Sequence, residues 1–195
     1  MIKFVSKSFL SVVFLVMSLS VLCQAQTRGG SSRGAYVAGK SGVLLDFGIH
    51  YGQSEAAGNP STQDFKNNTS VHDSKLGYIN DDNWYLGVLY SVKKYSTLAG
   101  STNGKTGGVG FGYFFLNNFN FRIFYRHDES FGDYRKGTGF QADLEYKISF
   151  ASNFYIGALV SHRQVGFKTN DTIASFEEYT AKETYPVISL GFLIN

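Results

Sequence analysis

The stretch from Gly108 to Arg126, GVGFGYFFLNNFNFRIFYR, decides the fold of this chain. Its residues alternate between two faces on either side of a short turn at 116–118, and this period of two is typical of β-strands. One face is large and apolar: Val109, Phe111, Tyr113, Phe115, Phe119, Phe121, Ile123 and Tyr125. The other is small, polar or basic: Gly108, Gly110, Gly112, Asn120, Arg122 and Arg126. The glycine and arginine face resembles an interior, so the stretch predicts a membrane β-barrel hairpin with its aromatic face outside.

The composition favours β-strands and argues against a polytopic helical membrane protein. The 195 residues fit one domain plus a processed segment, and hydrophobic residues make up 43%. A polytopic helical membrane protein would be far more apolar, whereas only alternate residues of a barrel strand meet lipid. The chain is rich in Phe (18), Tyr (13) and Gly (22) and has only 2 Pro, which favours strands over helices. Removing Lys3 and Lys7 with the N-terminal segment lowers the formal net charge from +3 to +1, so no nucleic-acid partner is expected.

The N-terminus predicts export. Residues 1–25 have the three parts of a secretory signal peptide: a basic start, an apolar run over 9–22 and small residues before an expected cleavage at Gln26. A lipoprotein anchored at Cys23 and an uncleaved helix are the alternatives. Cys23 is the sole cysteine, so the exported chain is expected to lack thiols and disulfides. Residues 26–41 read as a flexible leader and 42–195 as the barrel domain.

Eight strands are predicted along the barrel domain, at 42–52, 72–80, 83–93, 108–115, 119–126, 139–150, 154–165 and 184–194. Their connections alternate between long and short, with long polar loops at 53–70, 95–105, 127–136 and 166–183. An even number of strands brings both ends to the same side. Short turns on one side and long loops on the other are typical of outer-membrane barrels, whose short turns are periplasmic.

The outward aromatic residues separate into two levels, which predicts two interfacial girdles. The lower girdle, near the short turns, consists of Tyr78, Trp84, Phe115, Phe119, Phe150, Phe154 and Phe192. The upper girdle, near the long loops, consists of Tyr51, Tyr90 and Tyr125.

These features together resemble the small eight-stranded outer-membrane β-barrel proteins of the OmpA/OmpX type, over about 41–195. The resemblance implies an all-β, closed antiparallel up-and-down transmembrane barrel in the outer membrane of a Gram-negative-type bacterium. It also implies contact with outer-membrane lipid and lipopolysaccharide, and with the barrel-assembly machinery during biogenesis. Family members typically end in an aromatic residue, whereas this chain ends in Asn195. A soluble lipocalin-like barrel, with large residues inside, is the competing fold.

The inward charges form the first candidate site. Arg122 and Arg126 share the predicted lumen with Asp143, Glu145 and Lys147. An eight-stranded barrel is just wide enough for side chains to fill, so a packed network of ion pairs is expected. A gated pore is the alternative. No cofactor or metal is expected.

The second candidate is catalytic. His72 and Ser74 lie two apart and therefore on one face, and Glu55 follows the first predicted strand. A histidine, a serine and an acid near the upper rim would suit a lipid A deacylase-like hydrolase, as base, nucleophile and orienting carboxylate. The expectation is nonetheless a non-enzymatic protein with a structural or surface role, in envelope integrity, adhesion or recognition through its long loops. A narrow channel for small or hydrophobic solutes is the alternative.

Overall fold

The computed structural model describes residues 41–56, 65–97, 100–115, 118–151 and 153–194. Its strands are β1 (Gly42–Ala56), β2 (Phe65–Ile79), β3 (Trp84–Thr97), β4 (Gly100–Phe114), β5 (Phe119–Phe131), β6 (Tyr134–Ala151), β7 (Phe154–Phe167), β8 (Thr169–Asn170) and β9 (Tyr179–Ile194). The predicted signal peptide, the leader up to residue 40 and Asn195 lie outside the described residues. Within the described ranges, no helix is long and apolar enough to cross a membrane.

The eight long strands close into one antiparallel barrel. Each pairs with its neighbour in the chain, apart from the two-residue β8, which pairs with the end of β6. β5 pairs with β6, and β9 pairs with both β7 and β1, which completes the cylinder. The predicted all-β, closed eight-stranded fold is therefore confirmed.

Side chains alternate strictly between the lumen and the outside. Leu86 is 71% exposed on the outer face of β3, whereas Arg122 on the inner face of β5 is 0% exposed. Large apolar residues lie outside along the strands, while aspartate, glutamate, lysine and arginine are buried inside. A soluble lipocalin-like barrel would instead place polar residues on its outer face.

The four predicted long loops are shorter in the structure than predicted, because the flanking strands extend into them. β3 and β4 continue through 95–105 to Thr97 and Gly100, and β5 and β6 continue through 127–136 to Phe131 and Tyr134. In the same way, β1 and β2 extend into 53–70, and β7, β8 and β9 occupy much of 166–183. Backbone hydrogen bonds hold these extensions together, but many of their residues are Ser, Thr, Asn, Gly or charged. Apolar alternation therefore ends before the strands do.

Two of the tight turns use asparagine. Asn118 has a φ of 70° and Asn83 a φ of 67°, both in the left-handed region that asparagine tolerates. Leu116 and Asn117 lie outside the described part of the chain. In the turn at Asp81-Asp82, the Asn83 N–H donates to the Asn80 carbonyl at 2.9 Å.

The seam that closes the barrel is its shortest ladder. β1 and β9 pair only from Val43–Ile194 to Ile49–Ile188. Pro186 lies two residues beyond the last pair, where the ladder on that side has ended and a missing N–H is tolerated. The Pro186 carbonyl instead accepts a hydrogen bond from His50 Nδ1 at 2.7 Å.

Lumen aromatics pack over glycines on neighbouring strands. The Tyr85 ring covers Gly77 and Gly87, and the Tyr155 ring covers Gly191, so a Cβ at any of these glycines would overlap the ring. These tyrosines belong to a buried apolar cluster at the short-turn end of the lumen, which also contains Leu44, Ile79, Leu89, Phe114, Phe124 and Leu193. Glycine therefore provides the clearance that lets large side chains fill a narrow barrel.

Candidate functional site

The centre of the lumen is a network of buried ion pairs. Arg122 Nη1 lies 2.6 Å from Asp46 Oδ2, and Arg122 Nη2 lies 2.9 Å from Glu145 Oε2. The side chains of all three residues are 0% exposed. The Tyr155 hydroxyl also donates to Asp46 Oδ2 at 3.0 Å. One guanidinium therefore joins β5 to β6 and, across the lumen, to β1.

A second group of charges lies nearer the upper rim. Arg163 Nη2 lies 2.7 Å from Asp73 Oδ2, and Lys75 Nζ lies 2.7 Å from Asp143 Oδ2. Gln141 Nε2 joins the two pairs, donating to Asp73 at 2.9 Å and to Asp143 at 3.1 Å. Each carboxylate thus meets a cation and a neutral donor, which compensates the cost of burying charge.

The partners differ in part from those expected of the interior network. Arg122 and Glu145 form a direct pair, but Asp143 pairs with Lys75. Arg126 turns toward Glu129, with its Nε 2.8 Å from Oε2, and also donates to the Gln141 side chain. Alternation gives the face of each residue but not its partner across the lumen, because the tilt and stagger of the strands determine which heights meet.

Lys147 is buried but lies beside aromatic rings. Its ammonium is 4.0 Å from the centroid of the Phe114 ring and 5.9 Å from that of Tyr155. Among the described carboxylates, none forms an ion pair with Lys147. The two groups of ion pairs therefore form without this lysine, which contributes a cation–π contact at the edge of the apolar cluster.

A small vestibule opens above the network at the upper rim. This cavity of about 100 Å³ is lined by charged residues (Lys93, Glu129, Arg163 and Glu183) and by apolar and aromatic ones (Phe131, Tyr134, Val165, Phe167, Tyr179 and Ala181). Lys93 forms an ion pair with Glu183, and its ammonium lies 4.5 Å from the Phe131 ring centroid.

Glu183 lies just before the last predicted strand, 184–194. Burial alone would raise the pKa of Glu183, but the ammonium of Lys93 outweighs this and holds the pKa below its ordinary value. The vestibule was not predicted, because most of its residues lie in stretches that were predicted to be loops. The same-parity series Tyr179, Ala181, Glu183 and Tyr185 was the signal that could have extended the last strand.

The structure does not assemble the candidate catalytic residues. His72 and Ser74 both face outward and are exposed on β2, as predicted. Glu55 pairs with Lys66 in the β1–β2 ladder, whereas His72 pairs with Ile49. The interval from Ile49 to Glu55 corresponds to roughly 20 Å along an extended strand. Glu55 therefore cannot orient His72 in this register.

The predicted girdle residues whose side chains the structure describes face outward. In the lower girdle, Trp84 contacts Tyr113 edge-on at 5.1 Å between centroids, Phe119 contacts Tyr146 at 5.0 Å and Phe154 contacts Phe192 at 4.9 Å. Tyr78 and Phe115 are also exposed, and Phe150 belongs to β6. In the upper girdle, Tyr51, Tyr90 and Tyr125 are all exposed. The described members of each girdle are therefore aromatic rings on the outer face.

Comparisons with protein-family models, with curated proteins and with solved structures return no match to this chain. The class that the structure itself defines is an eight-stranded antiparallel barrel with charged residues inside and large apolar residues outside. Across the described ranges, no three His, Cys, Asp or Glu residues are placed to hold a metal ion.

Proposed function

We propose that this chain is an integral outer-membrane β-barrel protein with a structural and surface-interaction role, exported through cleavage of residues 1–25. The observation that carries the proposal is the distribution of side chains, with charged residues buried in the lumen and large apolar residues on the outer face. Arg122, Asp143 and Glu145 are fully buried, while Leu86, Phe111 and other large apolar residues face outward. An outward apolar surface of this extent is costly in water and favourable in lipid.

The height of the apolar surface supports the same proposal. On β6 the outward residues from Phe140 to Ile148 are apolar at every second position. A tilted strand of about ten residues crosses the hydrocarbon core of a bilayer. The two girdles lie at the ends of this interval, where aromatic rings prefer the membrane interface. The partners in this proposal are outer-membrane lipid, lipopolysaccharide and the barrel-assembly machinery.

The filled lumen supports a structural role over a conducting one. The ion pair of Arg122 crosses the lumen from β5 to β1 and that of Lys75 crosses from β2 to β6, with side chains that are 0% exposed. Aromatic residues close the short-turn end below them. Water and ions would need these pairs to separate, so we expect a closed barrel.

Surface interaction is assigned to the upper rim, where the strands extend beyond the upper girdle. Tyr134 lies at the centre of an aromatic cluster there, with ring centroids 5.6 Å from Phe167, 5.6 Å from Phe176 and 5.2 Å from Tyr179. Aromatic side chains are common at recognition surfaces because they bury large areas at little entropic cost. Among the described residues, much of the rim is thus β-structured rather than a set of long loops.

Envelope fractionation and bilayer recordings test the proposal. The mature chain should fractionate with the outer membrane, migrate differently on gels with and without heating, and resist extraction by salt. Protease added to intact cells should cut only near the rim. Planar bilayers containing the purified protein should show no steady conductance. Extraction by salt alone would contradict the membrane assignment, and a stable conductance would contradict the closed lumen.

The hydrolase alternative has its own test. Because Glu55 and His72 are far apart in the ladder, Ser74→Ala should leave the lipid A of the producing strain unchanged by mass spectrometry. A shift in acyl-chain number that depends on Ser74 would contradict the non-enzymatic assignment.

A further inference from the structure

The barrel wall is open above its closing seam. β1 and β9 pair with each other as far as Ile49–Ile188, yet both strands continue beyond that point. β1 extends to Ala56 with pairs to β2 only, and β9 begins at Tyr179 with pairs to β7 only. In the described part of the chain, the other junctions between neighbouring long strands stay paired into the rim. The seam is therefore where the rim separates.

Pro186 and His50 explain where the seam parts. Continuing the register of the ladder would place Pro186 opposite Tyr51, but proline has no N–H to donate to β1. Its carbonyl instead accepts a hydrogen bond from His50 Nδ1 at 2.7 Å. The His50 ring also lies against Tyr185, with centroids 4.8 Å apart. The proline and the histidine thus end the ladder beside Tyr51, at the level proposed for the outer membrane surface.

Beyond this point β9 presents an open edge. In an antiparallel sheet, the N–H and C=O groups of alternate residues point to opposite neighbours. The Pro186 carbonyl points toward β1, so the backbone groups of Thr180, Lys182 and Thr184 point the same way. No described residue pairs with β9 on that side before Ile188. An unpaired edge of this kind is a template for another extended chain.

The vestibule lies behind the open edge. Its lining residues belong to β3, β5, β6, β7 and β9, whereas β1 and β2 contribute none of their described side chains. β1 and β2 lie between β9 and β3 in the barrel, so the wall of the vestibule is incomplete on the side of the seam. On β9 the wall is formed by Tyr179, Ala181 and Glu183. A side chain that entered from the seam would first meet these residues.

The size and lining of the vestibule suit one aliphatic side chain. A cavity of roughly 150 Å³ holds benzene, so the vestibule, at about 100 Å³, has room for a smaller apolar group. Lys93 and Glu183 already pair with each other, which leaves Ala181 and Val165 as the apolar contacts. On the outer face of the same edge, Lys182 is exposed and forms no ion pair with a described residue. An acidic side chain would complement this lysine.

We propose that the open edge of β9 binds an extended peptide segment of a surface partner as an added antiparallel strand. The peptide backbone pairs with Thr180, Lys182 and Thr184. Its inward residues are aliphatic, and one of them occupies the vestibule; its outward residues are acidic and meet Lys182. In such strand addition the main chain provides affinity and the alternate side chains provide specificity. This inference rests on the proposed surface role, because a partner reaches the rim only if the rim faces the exterior.

Fluorescence anisotropy with labelled synthetic peptides, about six residues long, tests the site on the purified mature chain in detergent micelles. The probe alternates valine and glutamate, and it should bind saturably. Replacing its valines with serine should weaken binding about tenfold, which corresponds to about 1.4 kcal/mol, because no aliphatic group then enters the vestibule. Replacing its glutamates with lysine should also weaken binding, because Lys182 then repels the peptide.

Methylation of peptide nitrogens separates strand addition from ordinary surface binding. In an antiparallel ladder with the valines inward, the glutamate N–H groups face β9 and the valine N–H groups face away. Methylating the glutamate nitrogens should therefore abolish binding, and methylating the valine nitrogens should leave it nearly unchanged. Equal effects of the two methylation patterns would overturn the added strand.

Variants of the protein locate the site on β9. Ala181→Leu should weaken binding of the valine–glutamate probe by filling the wall of the vestibule. Lys182→Glu should reverse the preference, so that the valine–lysine peptide binds more tightly than the valine–glutamate peptide. Lys105→Glu changes an exposed lysine on β4, and Ala158→Leu adds bulk to the outer face of β7; both controls should bind as the wild type does. Equal losses for Lys182→Glu and Lys105→Glu would overturn the site.

Other occupants of the edge give different results. Peptide binding that appears only after deletion of residues 58–63 would mean that the chain covers its own edge. A dimer that dissociates as the peptide binds would mean that a second copy occupies it. Either result, or no binding by the wild type, would overturn the proposed partner.

Flotation with lipid vesicles separates this inference from the proposed function. A protein that floats with the vesicles but binds no peptide contradicts only the peptide site. A protein that fails to float contradicts the membrane-spanning role, and the surface site with it.

Discussion

Arg122 shows what a single residue contributes to this barrel. Its guanidinium meets two carboxylates on different strands, Asp46 on β1 and Glu145 on β6. Sequence alternation placed it on the inner face and suggested Glu145 as a partner. Asp46 could not be assigned as the other partner, because the pairing depends on strand stagger across the lumen and not on spacing along the chain.

Replacing Arg122 with methionine should destabilise the folded chain by about 3–5 kcal/mol, because it leaves two buried carboxylates without their cation. The measurement is urea unfolding of the protein in detergent micelles, followed by fluorescence. Arg135→Met is the matched control. Its pair with Asp171 has side chains that are 41% and 51% exposed, so the expected loss is about 0–1 kcal/mol. Equal losses in the two variants would contradict a stabilising role for the buried network.

The Lys93–Glu183 pair predicts a dependence on pH. Lys93 holds the pKa of Glu183 below its ordinary value, so the folded state favours the ionised form. The ionised Glu183 therefore stabilises the folded state above the pKa of a glutamate in the unfolded chain, about 4.3. This contribution is lost as the pH falls through the lower pKa that Glu183 has in the folded state. Wild type should therefore exceed Glu183→Gln in unfolding free energy at pH 7 and approach it near pH 3. If the difference in unfolding free energy between wild type and Glu183→Gln grew as the pH falls, the predicted direction of the pH dependence would be contradicted.

At the scale of the strand, alternation located all eight long strands but not their ends. β3 and β4 continue through Ser, Thr and Gly residues that were predicted to form a loop. These residues are polar or small on both faces, so no hydrophobic period marks the continuation of the two strands. A β-bulge at Asp128, where β5 carries one residue more than β4, hides the continuation of β5 still further, because the extra residue reverses the parity of the residues after it.

Two glycines on β4 make a matched test of the inner and outer faces. A side chain at Gly110 would overlap the Phe124 ring, whereas a Cβ at Gly107 would meet no atom within 4 Å. Gly110→Leu should therefore cost about 1–3 kcal/mol of unfolding free energy through overpacking. Gly107→Leu should change it by less than about 0.5 kcal/mol, as for an ordinary surface substitution. Urea unfolding in micelles measures the stability of the two variants. A larger loss for Gly107→Leu than for Gly110→Leu would contradict the placement of Gly110 on the inner face and Gly107 on the outer face.

For the whole molecule, the inverted alternation and the family resemblance predicted a closed barrel, and the β1–β9 ladder completes it. The short β1–β9 ladder and the vestibule were not predicted. Each depends on how strands that are distant in the chain meet, and that is fixed by register and tilt rather than by composition. The outward placement of the large apolar residues underlies the membrane role proposed for the barrel.

Fluorescence of Trp84 tests the membrane-spanning role most directly. Trp84 is the only tryptophan of the chain, and it lies 54% exposed in the lower girdle. In vesicles whose lipids carry bromine near the headgroup, a barrel that spans the bilayer predicts strong quenching of Trp84 and little quenching by aqueous acrylamide. Strong acrylamide quenching with no effect of the brominated lipid would contradict it.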